Sequence, residues 1–331
     1  MYERYYGLEE RPFALTSNPR YLLLITAHRE ALSTLQYGLD TRRSLLVLVG
    51  EAGTGKTTVV RAALASQPAG ARFVSVTNPL LTRAEFFEQL IHGFGLSEKA
   101  ATSKTRFLEE LTATMQESLQ EGVRTALVVD EAHALSHEVL EEIRLLANLE
   151  TDDEKLLPVV LVGQPELADR LNEPGLRQLK QRIALRCSLR PLRIAETAAY
   201  IAGRIGVAGG EAAGMFTQEA VELVHHCSHG VPRTISVICD NALLAGFAAD
   251  ERPVGRHTIA DVCRDLDLAV PVPALARPVL ALTDRGGDRA PSKDSAAPGE
   301  MAIAAAARRV AAPPIGRGRS ILGLFSACLK V

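Results

Sequence analysis

Between Ser44 and Leu189 short apolar runs alternate with stretches whose apolar residues recur every three to four positions. "SLLVLVG" (44–50), "RFVSV" (72–76), "ALVVD" (126–130) and "PVVLVG" (158–163) are too short for helices. They are nearly continuous in apolar character, as strands buried on both faces of a parallel sheet are. Helical periodicity fills the intervals at Thr57–Ala65, Arg83–Gly93, Ser103–Glu121 and Glu138–Leu149, and a fifth strand is expected near Arg186–Leu189. Parallel neighbours need a crossover, so this alternation predicts a doubly wound α/β layer.

After Pro191 the strand signals stop. "IAETAAYIAGRI" (194–205), "TQEAVELVHHC" (217–227, with Thr217 as N-cap), "PRTISVICDNALLAGF" (232–247) and "TIADVCRDL" (258–266) predict a small all-helical domain. From about residue 270 Pro, Ala, Gly and Arg dominate without a period, the composition of a disordered tail. Its last stretch, "GRGRSILGLFSACLKV", is the exception, with Arg317 and Arg319 ahead of several large apolar residues.

Composition narrows the partners. The chain has 331 residues, 47% apolar, and a net charge of −2. Residues 1–270 hold 28 Lys and Arg against 35 Asp and Glu, and residues 271–331 hold 9 against 4, so an acidic body carries a basic tail. Duplex DNA is bound largely through phosphate neutralisation, and an acidic body argues against nucleic acid as the main partner. The five cysteines are odd in number and without CxxC spacing, which indicates neither a disulfide framework nor a zinc ribbon and fits a reducing cytosol. "MYERYYGLEERPF" lacks a signal-peptide pattern, and no stretch reaches the roughly 20 apolar residues of a bilayer span. A cytoplasmic protein is expected, with the tail as a peripheral contact to the inner membrane.

The chemistry is carried by two motifs. "GEAGTGKT", Gly50, Glu51, Ala52, Gly53, Thr54, Gly55, Lys56 and Thr57, fits GxxxxGK[ST] between a strand and a helix. Its glycines let backbone N–H groups curl around phosphate oxygens at a helix N-terminus, Lys56 reaches the β- and γ-phosphates, and Thr57, with Thr58 beside it, meets Mg²⁺. Asp130 ends the next strongly apolar strand, where it holds Mg²⁺ through water, and Glu131 follows in place to polarise an attacking water. Bound ATP and Mg²⁺ are therefore expected. "DEAH" (130–133) also occurs in a helicase family, but nothing after Pro191 supplies the second parallel-sheet domain such a helicase needs.

Three further segments lead to a resemblance. "GQPEL" (163–167) puts Gln164 after the fourth strand, "LRQLKQRI" (176–183) places Arg177 and Arg182 before the fifth, and "GVPR" (230–233) opens a helix with Arg233. Together with the two motifs these resemble an AAA+ module. The opening "YYGLEERPFALTSNPRYLLLITAHREALSTLQYGL" (5–39) resembles the ExeA/GspA family of type II secretion ATPases and its relatives in pilus and exosortase loci.

The resemblance covers about residues 1–270 and implies a division into an N-terminal block packing on the nucleotide site (1–43), an AAA+ α/β domain with a five-stranded parallel sheet (44–191) and a helical lid (192–270), ahead of the tail (271–331). It implies that His28 walls the adenine side, that Gln164 is sensor 1, that Arg233 is a lid sensor for the γ-phosphate, and that Arg182, or failing that Arg177, acts as an arginine finger in a nucleotide-dependent homo-oligomer. Two departures stand out. The block reads "SNP" where PDP is usual, and the transmembrane helix and periplasmic peptidoglycan-binding domain that follow in ExeA-like members do not appear in residues 271–331. The expected function is an ATP-hydrolysing assembly factor of a bacterial secretion or envelope system. A DNA-bound AAA+ regulator of transposition is the alternative, and a nucleotide-gated binding module with little turnover a third reading.

Overall fold

The computed structural model describes residues 1–15, 21 and 25–270. The expectations for residues 271–331, the basic-apolar segment among them, lie outside the described residues. Helices α1 (Tyr2–Tyr6) and α2 (Thr26–Asp40) precede β1 (Leu45–Gly50), α3 (Lys56–Ala65), β2 (Arg72–Val76), α4 (Arg83–Phe94), α5 (Lys104–Gln120), β3 (Thr125–Val129) and α6 (His137–Leu146). The layer is completed by β4 (Val159–Gly163), α7 (Pro165–Arg170), α8 (Arg177–Gln181) and β5 (Ile183–Leu189).

The five strands are parallel, in the order β2-β3-β4-β1-β5. Four start within a residue of where the apolar runs put them. The fifth begins at Ile183 rather than near Arg186, because as an edge strand it alternates half-buried and exposed residues and so lacks a continuous apolar run.

Within the buried strands the pleat still divides the side chains. Leu45, Val47 and Val49 of β1, with Leu127, Val129, Val159 and Leu161, face a core built with α4, α5 and α6. Leu46 and Leu48, with Ala126, Val128, Val160 and Val162, face Ala31, Leu35 and Leu39 of α2 and Val59, Val60 and Ala63 of α3. Both cores are closed to solvent, and truncating one of these leucines to alanine costs about 2–5 kcal/mol.

Four helices follow the sheet: α9 (Ile194–Val207), α10 (Gln218–Ser228), α11 (Pro232–Ala248) and α12 (Arg256–Asp265). Thr217 caps α10, its hydroxyl accepting from the Ala220 N–H. Their core takes in Tyr2, Tyr6, Leu8 and Phe13 from the beginning of the chain. The first 40 residues are thus shared out: residues 2–13 complete the helical lid, and α2 covers the sheet. Among the described residues no helix is long and apolar enough to cross a membrane.

Candidate nucleotide site

The glycine-rich loop, the acidic pair and Gln164 each sit where a strand ends. Parallel strands deliver their C-terminal ends to one edge of the sheet, and a reversal of strand order there opens a crevice. β1 runs into the glycine-rich loop, β3 into Asp130 and Glu131, and β4 into Gln164. Gly53 and Gly55 hold φ of 79° and 96°, a left-handed backbone that disfavours any side chain. Helix α3 starts at Lys56 with no side-chain cap, so its first N–H groups are free to meet phosphate oxygens. Thr54 is fully buried and closes the loop on itself, its hydroxyl donating to the Glu51 carbonyl at 2.8 Å.

Lys56 folds back over the loop, its Nζ donating to the carbonyls of Gly50 and Glu51 at 2.8 and 3.0 Å. Burial pulls its pKa below the usual lysine value, with Glu131 and Asp130 acting against the shift. Thr57 Oγ1 donates to Asp130 Oδ2 at 2.8 Å, which brings together the two oxygen-bearing groups assigned to the metal. Hard oxygen donors at the mouth of a phosphate loop suit Mg²⁺. The other Asp130 oxygen accepts the Glu131 N–H at 2.9 Å and holds Glu131 at φ 51°, a strained value of the kind that gathers at functional sites.

Gln164 lies across from Glu131 with His133 between them. Gln164 Nε2 is 3.2 Å from His133 Nε2, and His133 Nδ1 is 3.4 Å from Glu131 Oε2. Arg233 opens α11 and touches the loop through its backbone, its N–H donating to the Gly53 carbonyl at 3.2 Å. Arg177 and Arg182 are exposed, and neither lines the cleft beside the loop. Arg182 adjoins the start of β5, its carbonyl accepting from the Ser44 hydroxyl, a strand length of about 20 Å from the loop.

His28, expected on the adenine side, does not line the cleft beside the loop. It is buried behind the loop, its Nε2 donating to the Thr54 carbonyl at 2.8 Å, and a Cβ on Gly55 would come within 3.1 Å of the ring. Burial holds its pKa below the ordinary histidine value, consistent with a neutral ring whose role is to support the loop.

The cleft of about 310 Å³ extends past the motif residues to Ala14, Leu15, Tyr200, Arg204 and Ser236, none of which the motifs indicate. Arg204 is only 6% exposed, and its guanidinium donates to the carbonyls of Pro12 (2.6 Å) and Ala14 (3.0 Å), the Tyr200 hydroxyl (2.7 Å) and Ser236 Oγ (3.0 Å). It also lies over the Tyr21 ring, 4.7 Å from the centroid, a cation–π contact. The signal for it was one arginine in the otherwise apolar "AAYIAGRI", four residues after Tyr200.

Comparison with known proteins agrees with this architecture. Residues 39–171 match the AAA domain family. General secretion pathway protein A of Aeromonas hydrophila is 43% identical over 270 residues, covering 81% of this chain and 48% of that protein, so the chain spans about half the length of this relative. Among solved structures, the ORC2 protein of Aeropyrum pernix superposes with a TM-score of 0.59 at 14% identity, covering 80% of this chain and 73% of that one. Cdc6p of Pyrobaculum aerophilum gives 0.58 at 15%, covering 77% and 70%. A Walker-type ATPase of Pyrococcus abyssi gives 0.55 at 17%, covering 77% and 76%. At these identities the structures speak for the fold alone. With its glycine-rich loop and acidic strand end on an AAA fold, and with 43% identity over 270 residues to General secretion pathway protein A, the chain belongs to the GspA-like AAA ATPases.

Proposed function

We propose that the chain binds ATP with Mg²⁺ and hydrolyses it to ADP and phosphate. The observation that carries this is the Thr57–Asp130 contact directly beside Glu131. Lys56, swinging off its carbonyl partners, binds the β- and γ-phosphates, Glu131 takes the proton of the attacking water, and Gln164 and Arg233 hold the γ-phosphate oxygens. Thr57 and, through water, Asp130 would hold Mg²⁺, which neutralises charge on the phosphates when bound. The cleft between Leu15 and Tyr200 receives the base.

The likeness to General secretion pathway protein A supports an assembly role in a bacterial secretion or envelope system. In this reading the protein works on the cytoplasmic side as a nucleotide-dependent homo-oligomer whose Arg182 completes a neighbour's site, and residues 316–331 touch the inner membrane peripherally. Its partners are protein components of that system rather than nucleic acid, as the acidic body favours.

A phosphate-release assay tests the chemistry. Wild-type protein should turn over ATP, and Glu131→Gln should bind a fluorescent ATP analogue normally while turning over at least about 100-fold more slowly. Wild-type-rate hydrolysis by Glu131→Gln would overturn the assignment. Mixing Arg182→Ala with Lys56→Ala should restore activity at hybrid interfaces, and no recovery at any ratio places the finger elsewhere. Salt-sensitive binding to anionic vesicles, lost without residues 316–331, is expected. Tight ATP-dependent duplex binding with vesicle indifference would favour the transposition regulator.

A further inference from the structure

At the end of the cleft away from the glycine-rich loop, three polar side chains meet whose hydrogens can be counted. Tyr200 and Arg204 stand one turn apart on α9, and Ser236 comes from the second turn of α11. The Tyr200 hydroxyl lies 2.9 Å from Ser236 Oγ, and Arg204 Nη1 donates to both, at 2.7 and 3.0 Å. Ser236 Oγ also reaches the Pro232 carbonyl of its own helix at 3.0 Å. Arg204 and Ser236 are buried, Tyr200 is half-buried, and all three line the cleft.

Two kinds of partner here have no choice of role: a guanidinium only donates and a carbonyl only accepts. Ser236 has one hydroxyl hydrogen, and the Pro232 carbonyl takes it. Sent to Tyr200 instead, that hydrogen would leave the Ser236 and Pro232 oxygens facing each other at 3.0 Å with nothing between them. The contact between Tyr200 and Ser236 therefore carries the tyrosine's hydrogen. Both serine lone pairs are then filled, one from Tyr200 and one from Arg204. Arg204 holds the arrangement, because its N–H on the tyrosine oxygen bars the hydroxyl from turning its hydrogen that way. Having spent its only hydrogen inward, the Tyr200 oxygen can accept from the cleft and cannot donate to it.

We infer, on the reading that the base enters between Leu15 and Tyr200, that the Tyr200 hydroxyl oxygen selects adenine by accepting from its exocyclic amine. A base that presents a carbonyl there sets oxygen against oxygen and leaves the acceptor unpaired, which costs more than the hydrogen bond alone. Hypoxanthine is such a base, and guanine carries the same carbonyl. Ser236 is a positioning residue that acts through Tyr200 by holding its hydrogen. The glycine-rich loop takes no part in the choice, since it meets phosphates common to every nucleoside triphosphate.

The test is binding, with no need of turnover, on the full chain with Mg²⁺ and a fluorescent ATP analogue displaced by ATP or by inosine triphosphate, which has a carbonyl where ATP has its amine. Wild type should prefer ATP by about fivefold or more. Tyr200→Phe keeps the ring and removes the acceptor, so the preference should disappear. Ser236→Ala frees the tyrosine's hydrogen to turn into the cleft and meet a carbonyl, so inosine triphosphate should bind more tightly than it does to wild type, whereas a merely damaged site would weaken both ligands. A wild-type preference below about fivefold, a preference that survives in Tyr200→Phe, or inosine triphosphate that fails to tighten on Ser236→Ala overturns the inference. Photolabelling with an azido-ATP locates the base independently. Adducts around Leu15 or Tyr200 support its placement; adducts confined elsewhere overturn that placement and the inference with it, while correct adducts without a preference for ATP overturn the inference alone.

Discussion

The two ends of the cleft are built on opposite plans. The phosphate end is local: eight consecutive residues, Gly50–Thr57, supply loop, lysine and hydroxyl, and most of its contacts come from backbone. The other end, where we propose the base enters, is assembled from segments nearly 200 residues apart, with Arg204 of α9 reaching the carbonyls of Pro12 and Ala14. Phosphate is the same in every nucleotide, so a short stretch of backbone N–H groups serves it. A base needs a wall on each side, and in the proposed site one wall comes from the start of the chain and the other from α9 and α11.

Lys56→Ala should break the phosphate end most severely. It removes charge-assisted contacts worth about 1.5–3 kcal/mol each, so affinity for ATP should fall by about 100-fold or more, and affinity for inorganic tripolyphosphate should fall with it. Isothermal titration with both ligands checks this.

Arg204→Ala is the counterpart. It leaves two buried carbonyls without their donor and opens a void, which should cost about 3 kcal/mol in urea unfolding. ATP binding should weaken while tripolyphosphate binding stays close to wild type. Equal loss for both ligands would mean the two ends are not separate.

Gly53→Ala probes the seam between them. At φ 79° the new Cβ would press on the Arg233 Cβ at 2.8 Å and on Val231 Cγ1 at 3.1 Å, with a backbone cost of about 1–2 kcal/mol. Thermal unfolding should drop by several degrees and both ligands should weaken modestly.

The smallest effect is expected at the Arg190–Glu196 pair, where the chain passes from β5 into α9. Arg190 donates to both Glu196 oxygens, at 2.7 and 2.8 Å, and with help from the Arg193 N–H it lowers the Glu196 pKa from 4.5 to about 2. A depressed folded-state value stabilises the fold above the unfolded value, and that contribution is lost as pH falls from about 4.5 toward 2. After solvent screening it is about 1 kcal/mol. Wild type should therefore exceed Glu196→Gln by that amount at pH 7, and the gap should close on acidification, as read from urea midpoints at pH 7, 4 and 3.

This contrast also explains what could be read in advance. The sheet was legible because four of its strands are buried on both faces and their apolar runs are unbroken. β5 was only half legible, since an edge strand mixes Arg186 and Ser188 with its apolar positions. Lys56, Thr57, Asp130 and Glu131 were legible because phosphate chemistry demands fixed residue types at fixed spacing. Tyr200, Arg204 and Ser236 were not, since nothing in a linear reading brings α9 and α11 beside Ala14. His28 was singled out in the opening block, but its place behind the loop depends on the packing of α2 against α3, which no local pattern encodes.

The sharing of residues 2–13 with the lid has a consequence for how the protein is made. Tyr2 bonds Asp240, Tyr6 bonds the Glu251 carbonyl, and Phe13 packs on Phe216, partners that leave the ribosome some 200 residues later. At about 5–20 residues per second the opening segment waits roughly 10 to 50 seconds with its tyrosines and phenylalanine exposed. The sheet, complete by Leu189, can form during that interval; the lid cannot close its core until synthesis has passed α12. Folding is therefore ordered in time, with the glycine-rich loop formed first and the end of the cleft proposed for the base enclosed last.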